Sequence, residues 1–306
     1  RFLNDGKGHM FYTLGDRGDM THSQKLDSPL GKIHRVNLDG TAPADNPFVN
    51  TPGAIKTLWT IGNRNAEGLS YDPRTGLLWE SEHGPTGGDE INIIEKGKNY
   101  GWGVVSMGLQ PGITLQHKDG MVDPVKYYSP AIGPSGITFN TGNKYPGWKN
   151  NLFLTALTGQ KLIRYEIDGR KITEQEIIWD QYGRTRAVVM GPDGLLYVIL
   201  QNSTGSPTGT GASTPGMVLR LVALGGATSK WVLARTDPRV RELGLDPDAD
   251  FAHLAPGKPV RIVAVGDPSN ICPCGGTHVE GAAELAGVRV NKVKAAKGKT
   301  KVSYTV

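Results

Sequence analysis

Two short segments of this 306-residue chain carry residue types that a packed core does not require. Residues 63 to 68 read Asn-Arg-Asn-Ala-Glu-Gly, and residues 82 to 92 read Glu-His-Gly-Pro-Thr-Gly-Gly-Asp-Glu-Ile-Asn. The guanidinium of Arg64 is a rigid two-pronged donor suited to carboxylate oxygens, and the carboxamide of Asn65 stands beside it. Gly84 and Pro85 form a turn whose main-chain oxygens are free to meet a hard cation. Near the other end, Cys274 and His278 stand four residues apart around Gly275 and Gly276, a thiolate and an imidazole able to share one Zn²⁺.

These groups need rigid elements to hold them, and the composition says which kind. With 42 Gly and 20 Pro, the chain favours many short strands and tight turns over helices. At 38% hydrophobic and 21% charged residues it can bury a sizeable core, as one large domain or two smaller ones. No apolar run approaches the roughly 20 residues of a membrane span. The first residues, Arg1-Phe2-Leu3-Asn4, show neither an initiator Met nor a signal-peptide pattern, so the native start is expected to lie elsewhere.

A turn followed by a strand recurs: 4 to 8 before HMFYTLGD, 72 to 76 before LLWESEHG, 191 to 194 before LLYVILQN and, more loosely, 145 to 151 before LFLTAL. Each leads to an outer-strand candidate of alternating character, at 31 to 40, 90 to 97, 160 to 169 and 217 to 223. Four such units, read as a period of roughly 40 to 50 residues broken by loops, point to blades of a β-propeller, with a β-sandwich as the alternative. A ring leaves no sheet edge bare, so four blades imply a partial propeller from which others are missing.

Several long strings make a resemblance specific: TLGDRG at 13, LGKIHRVNLDGTAPADNPF at 30, IGNRNAEGLSYDPRTGLLWESEHGPTGGDEINII at 61, KNYGW at 98, SPAIGPSG at 129 and GPDGLLYV at 191. Through them residues 1 to 226 resemble the C-terminal two-thirds of the soluble pyrroloquinoline quinone (PQQ)-dependent aldose and glucose dehydrogenases, the glucose/sorbosone dehydrogenase family. The resemblance implies a six-bladed propeller, about four blades of it present, with PQQ and Ca²⁺ in its axial funnel. The reaction implied is oxidation of an aldose to its lactone, the electrons passing to an external acceptor.

By motif position, the resemblance puts Arg64 and Asn65 on the quinone, Arg64 also near the reacting oxygens. It gives Gly84 and Pro85 to Ca²⁺ through main-chain oxygens, and Arg184 and Arg186 to PQQ carboxylates. Asp16 would orient the family's general-base histidine, which by this alignment stands just before Arg1; activity is therefore expected to be impaired. The family's quinone-contacting lysine falls near Thr158, with Lys161 the nearest substitute. Each residue also has a plainer reading. Asp16 can be a turn-former, His83 a loop histidine, and Arg184 and Arg186 an exposed strand face. A non-catalytic propeller that binds sugars or a protein is the alternative function.

After residue 226 the repeat stops. Residues 227 to 306 hold both cysteines and carry 12 Lys plus Arg against 8 Asp plus Glu, which is +4 of the chain's +5. A helix-capable stretch at 228 to 254 precedes strand-like segments, so a small α+β domain is expected there. CPCGGTHV at 272 resembles the zinc-binding half of the alanyl-tRNA editing domain. That resemblance implies aminoacyl-tRNA deacylation and tRNA contact by the basic run from Arg289 to Lys301; a solvated strand edge, and a remnant with a free reactive Cys274, are the alternatives. The first resemblance implies a periplasmic or extracellular location and the second a cytoplasmic one. The two together suggest a fusion of incomplete reading frames.

Overall fold

A computed structural model describes residues 1 to 221, apart from 146, 181, 182 and 203 to 215, and beyond them only the backbone of five strands. The chain divides into two compact units, Arg1–Arg220 and Leu221–Val306.

The first unit is four antiparallel sheets taken up in sequence order. The first sheet is β1 (Phe2–Asn4), β2 (His9–Leu14), β3 (Lys32–Asn37) and β4 (Leu58–Thr60). The second is β5 (Ala66–Tyr71), β6 (Leu78–Glu82), β7 (Asp89–Ile94) and β8 (Lys126–Tyr128), and the third β9 (Pro134–Phe139), β10 (Leu152–Ala156), β11 (Lys161–Asp168) and β12 (Lys171–Asp180). The fourth holds β13 (Arg184–Met190), β14 (Leu196–Asn202) and β15 (Met217–Arg220). Each turn-plus-strand repeat of the sequence supplies the second and third strands of one sheet. The only helical element among the described residues is a 3-10 turn at Met20–His22.

The first strand of each sheet packs on the first strand of the next, β1 on β5, β5 on β9, β9 on β13. Small residues permit the approach. A Cβ on Gly68 of β5 would meet the Ser135 carbonyl oxygen at 2.5 Å and Ile137 N at 2.9 Å. Short hydroxyls then stitch the seams: Thr13 Oγ1 donates to the Ala66 carbonyl (2.9 Å), Ser81 Oγ to Ser135 O (2.8 Å) and Ser135 Oγ to Arg186 O (2.7 Å). Apolar faces fill the space behind. Phe11 and Ile33 meet Leu69, Leu78 and Ile94 between the first two sheets, and Trp79, Ile91 and Ile93 meet Phe139, Leu152 and Leu154 between the next two.

Alternation along the strands does not mean one wet face. In β3 Lys32 and His34, which alternate with Ile33, are buried as deeply as it is, and Arg35 nearly so, so both sides of the strand are covered. Lys32 Nζ donates to three carbonyls, of His22 (2.6 Å), Ser23 (2.9 Å) and Leu30 (2.8 Å). Burial lowers its pKa to about 8. His34 lies flat on Tyr12, 4.6 Å between ring centroids, and burial lowers it to about 4.

In the second unit the described elements are strands only: β16 (Lys230–Leu233), β17 (Val260–Ala264) and β18 (Ile271–Cys274) in one sheet, β19 (Arg289–Ala296) and β20 (Lys299–Thr305) in another. The α+β expectation is not supported by these elements, and most of the stretch read as helix-capable lies outside the described residues. Lys230–Leu233, inside the stretch read as helix-capable, is a strand pairing antiparallel with Val260–Ala264, consistent with the aromatic and β-branched character of Trp231 and Val232.

Candidate functional site

Arg64 and Asn65 sit on the loop between β4 and β5, fixed from below by Asn63. The Asn63 carbonyl accepts from Ser23 Oγ (2.9 Å) and its Oδ1 from Thr60 Oγ1 (2.8 Å). With the loop anchored, the Arg64 amide donates to Glu82 Oε2 (2.7 Å) and its Nη1 to the His83 carbonyl (3.1 Å), which joins the first motif to the second. The guanidinium lies over the Trp102 ring, 5.2 Å from its centre, a cation on an aromatic face. Its buried Nε has no partner.

Asp16 belongs to the same cluster. Its amide donates to the Arg64 carbonyl (2.9 Å), and its buried carboxylate accepts from Trp102 Nε1 (2.7 Å) and Gly18 N (3.0 Å). No described histidine bonds to that carboxylate; its side-chain partners are the indole and a turn amide. Residues 16, 64 and 102 thus form one unit with the indole at its centre. Trp102 was part of a matched string, and nothing in its residue type marked it as the bridge.

The turn after β6 is held by Asp89. This carboxylate accepts from Gly84 N (2.8 Å), Ile132 N (2.6 Å) and Gly133 N (2.8 Å). Gly84 fits where no other residue does, since a Cβ would stand 2.3 Å from the Gly87 and Gly88 carbonyl oxygens. Gly84, Pro85 and Arg64 border a cavity of about 10 Å³, space for one water. Two acids of its lining, Glu82 and Glu90, surround one amide together with Glu80: Asn92 Nδ2 donates to Glu80 (3.1 Å), Glu82 (3.4 Å) and Glu90 (3.2 Å). Burial, then mutual repulsion, raises Glu80 and Glu82 well above the usual range, and burial lifts Glu90 to about 7. Glu80 escaped the sequence reading because the burial of the polar side of β6 is not visible in its alternation. His83, which burial holds below its ordinary pKa, feels the opposing charges of Glu67 and Asp89.

Asn65 faces a different void. A cleft of about 460 Å³ is bordered by Asn65, Glu67, Gly15, Arg17, Arg186 and Arg1 among others. Asn65 Nδ2 donates to Glu67 Oε1 (3.2 Å), and Arg186 Nη1 to Glu67 Oε2 (2.5 Å). Of the paired arginines, Arg186 lines the cleft, whereas Arg184 Nε donates to Gln201 (3.2 Å) and does not border it. Thr158 is exposed and Lys161 half-buried; neither borders the cleft.

Among the described residues no three His, Cys, Asp or Glu side chains converge as a metal-binding group, and no helix is long and apolar enough to cross a membrane. His278 lies outside the described residues, and of Cys274 and the basic run only backbone is described, so the proposed zinc site and tRNA contacts fall outside them.

The profile of the glucose/sorbosone dehydrogenase family matches residues 1–208. The chain is similar to the aldose sugar dehydrogenase YliI of Escherichia coli, 39% identical over 212 residues that cover 67% of this chain and 57% of YliI. Its fold is similar to the crystal structure of the soluble aldose sugar dehydrogenase from Escherichia coli in the apo-form, with TM-score 0.63 and 38% identity, over 66% of this chain and 60% of that one. It is likewise similar to the PQQ-bound form of the aldose sugar dehydrogenase from Streptomyces coelicolor, with TM-score 0.55 and 30% identity, over 70% and 57%. The chain spans less than two-thirds of the length of each.

Proposed function

Because the chain belongs to the glucose/sorbosone dehydrogenase family, we propose that its first unit is the greater part of a PQQ- and Ca²⁺-dependent aldose dehydrogenase. In this reading residues 1 to 226 are four blades of a six-bladed propeller, residues 227 to 306 are a separate domain, and the location is periplasmic or extracellular. The observation that carries it is the meeting of two distant motifs: Arg64 and Asn65 on one loop, Gly84 and Pro85 on another, joined by the Arg64 bond to the His83 carbonyl.

The residues present fit the cofactor. The cleft falls within the roughly 300 to 1,000 Å³ of small-molecule sites, and its wall offers the Arg186 guanidinium and the Asn65 amide to a carboxylate-bearing ligand. The unpartnered Arg64 Nε is a buried donor with capacity to spare, although Arg64 borders the small cavity beside Gly84 and Pro85 and not the cleft. Gly84 and Pro85 have main-chain oxygens for Ca²⁺. When bound, PQQ would supply a two-electron acceptor for the hydride on the anomeric carbon of an aldose, the electrons leaving to an external acceptor.

The chain's own groups do the rest. Arg64, held over Trp102, brings a fixed positive charge to the small cavity that Gly84 and Pro85 border. Asp16 sets its carboxyl group one indole away, held by two donors. The Asp89 clamp keeps the 84–85 carbonyls in one arrangement. The test is a titration of the full chain with PQQ, followed by quinone absorbance, with Ca²⁺ and then with excess chelator. Saturable, Ca²⁺-dependent binding is expected; absence of binding in both conditions would leave a non-catalytic sugar- or protein-binding propeller.

A further inference from the structure

Glu67 is an acid placed in a wall of cations. It borders the cleft with a side chain 19% exposed. Its two oxygens are divided between the groups that face the void. Oε1 accepts from Asn65 Nδ2, and Oε2 from Arg186 Nη1, with Arg1 Nη2 at 3.6 Å from the same oxygen. The arrangement is braced from the next sheet, where Ser135 Oγ accepts from both Arg186 and Arg1, the latter at 2.9 Å. Burial alone would raise the Glu67 carboxyl, but the Arg186 hydrogen bond and charge hold it below its ordinary pKa, so it stays ionised.

An ion pair that served folding alone could turn its polar ends away from the void. Here Asn65, Glu67 and both arginines all line it. The Arg186 Nη1 donor directed at the cleft wall is already spent on Glu67, and a ligand carboxylate must share Arg186 with a resident one.

We propose that Glu67 is the positioning residue of this wall, aligning Asn65 and Arg186 and acting as the resident counter-ion with which a carboxylate-bearing ligand competes. This rests on the reading that the cleft takes a polycarboxylate quinone. Glu67→Gln keeps the shape and one acceptor but loses the charge. Glu67→Asp keeps the charge but is one methylene too short to reach both partners.

The full chain with Ca²⁺ is titrated with PQQ and, separately, with benzene-1,3,5-tricarboxylate, which has the carboxylates and no quinone, at low and high salt. Glu67→Gln is expected to bind both on the order of tenfold more tightly than the parent chain, with a steeper loss on adding salt because one more cation is uncompensated. Glu67→Asp is expected to bind both more weakly than the parent. Equal or weaker binding by Glu67→Gln, or equal salt dependence, would overturn the counter-ion role, and Glu67→Asp matching Glu67→Gln would overturn the alignment. If only the tricarboxylate binds and still separates the variants, the quinone reading falls and the role of Glu67 stands. If neither probe binds any form, the wall is not an anion site and the proposal is overturned.

Discussion

Trp102 Nε1 lies 2.7 Å from Asp16 Oδ2, across 86 residues of sequence, while the face of the same indole carries the Arg64 guanidinium. One side chain therefore sets the position of both an anion and a cation of the candidate site. Trp102→Phe keeps a ring under Arg64 and removes the donor, leaving a buried carboxylate with one fewer partner. It should lower stability by about 1.5 to 3 kcal/mol, measured by denaturant unfolding, and a cycle with Asp16→Asn should show the two losses to be strongly non-additive. Additive losses would mean that the hydrogen bond contributes little.

The two arginines of β13 should behave differently. Arg186 borders the cleft and Arg184 is engaged with Gln201, so Arg186→Ala should change PQQ binding well beyond tenfold and Arg184→Ala by less than about threefold. Equal effects in a binding titration would show that both reach the ligand.

If Arg64 is the charged partner of the quinone, Arg64→Ala should weaken Ca²⁺-dependent PQQ binding by on the order of 2 to 4 kcal/mol. Unchanged affinity would end the assignment of Arg64 to the cofactor.

Half-buried Glu90 should make stability fall as pH rises. Its folded-state pKa, about 7, stands above the ordinary 4.5, so the folded form holds its proton more tightly. The resulting stabilisation is complete below pH 4.5 and is lost as pH rises through 7. Glu90→Gln, neutral at every pH, should therefore gain on the parent by on the order of 2 to 3 kcal/mol between pH 4.5 and 8. Denaturant midpoints across that range would show it, and a constant difference would place the shift elsewhere. His34 works in the opposite sense, since its folded pKa near 4 makes acidification from pH 6.5 destabilising; the comparison with Glu90→Gln cancels that common contribution.

Two glycines separate strain from space. Gly76 has φ +69° and open surroundings, so Gly76→Ala should cost about 1 kcal/mol from backbone strain. At Gly68 the added carbon would meet main-chain atoms of β9 at 2.5 and 2.9 Å, and Gly68→Ala should cost at least about 2 to 3 kcal/mol by prising the second sheet from the third. Equal unfolding midpoints for the two variants would contradict the tight seam.

Local chemistry was legible in the chain itself. Turn residues such as 72 to 76 and 191 to 194 stop one strand and start the next through contacts only a few residues long, as when Gly76 N meets the Asp72 carbonyl. The all-β character and the middle strands of each sheet could therefore be read from residue type and spacing. The two compact motifs that hold Arg64, Asn65, Gly84 and Pro85 were legible too, and the Arg64 bond to the His83 carbonyl brings them together. Partners supplied by other sheets were not. Alternation says which side chains share a face and is silent on what covers that face, so the burial of Lys32, His34 and Glu80 had no sequence signal. Arg184 and Arg186 look alike along the strand, and only the packing of β13 against β9 decides which borders the cleft. The bond from Trp102 to Asp16 and the grip of Glu67 on Arg186, 119 residues away, exist because separate sheets converge, and such convergence is a property of tertiary packing.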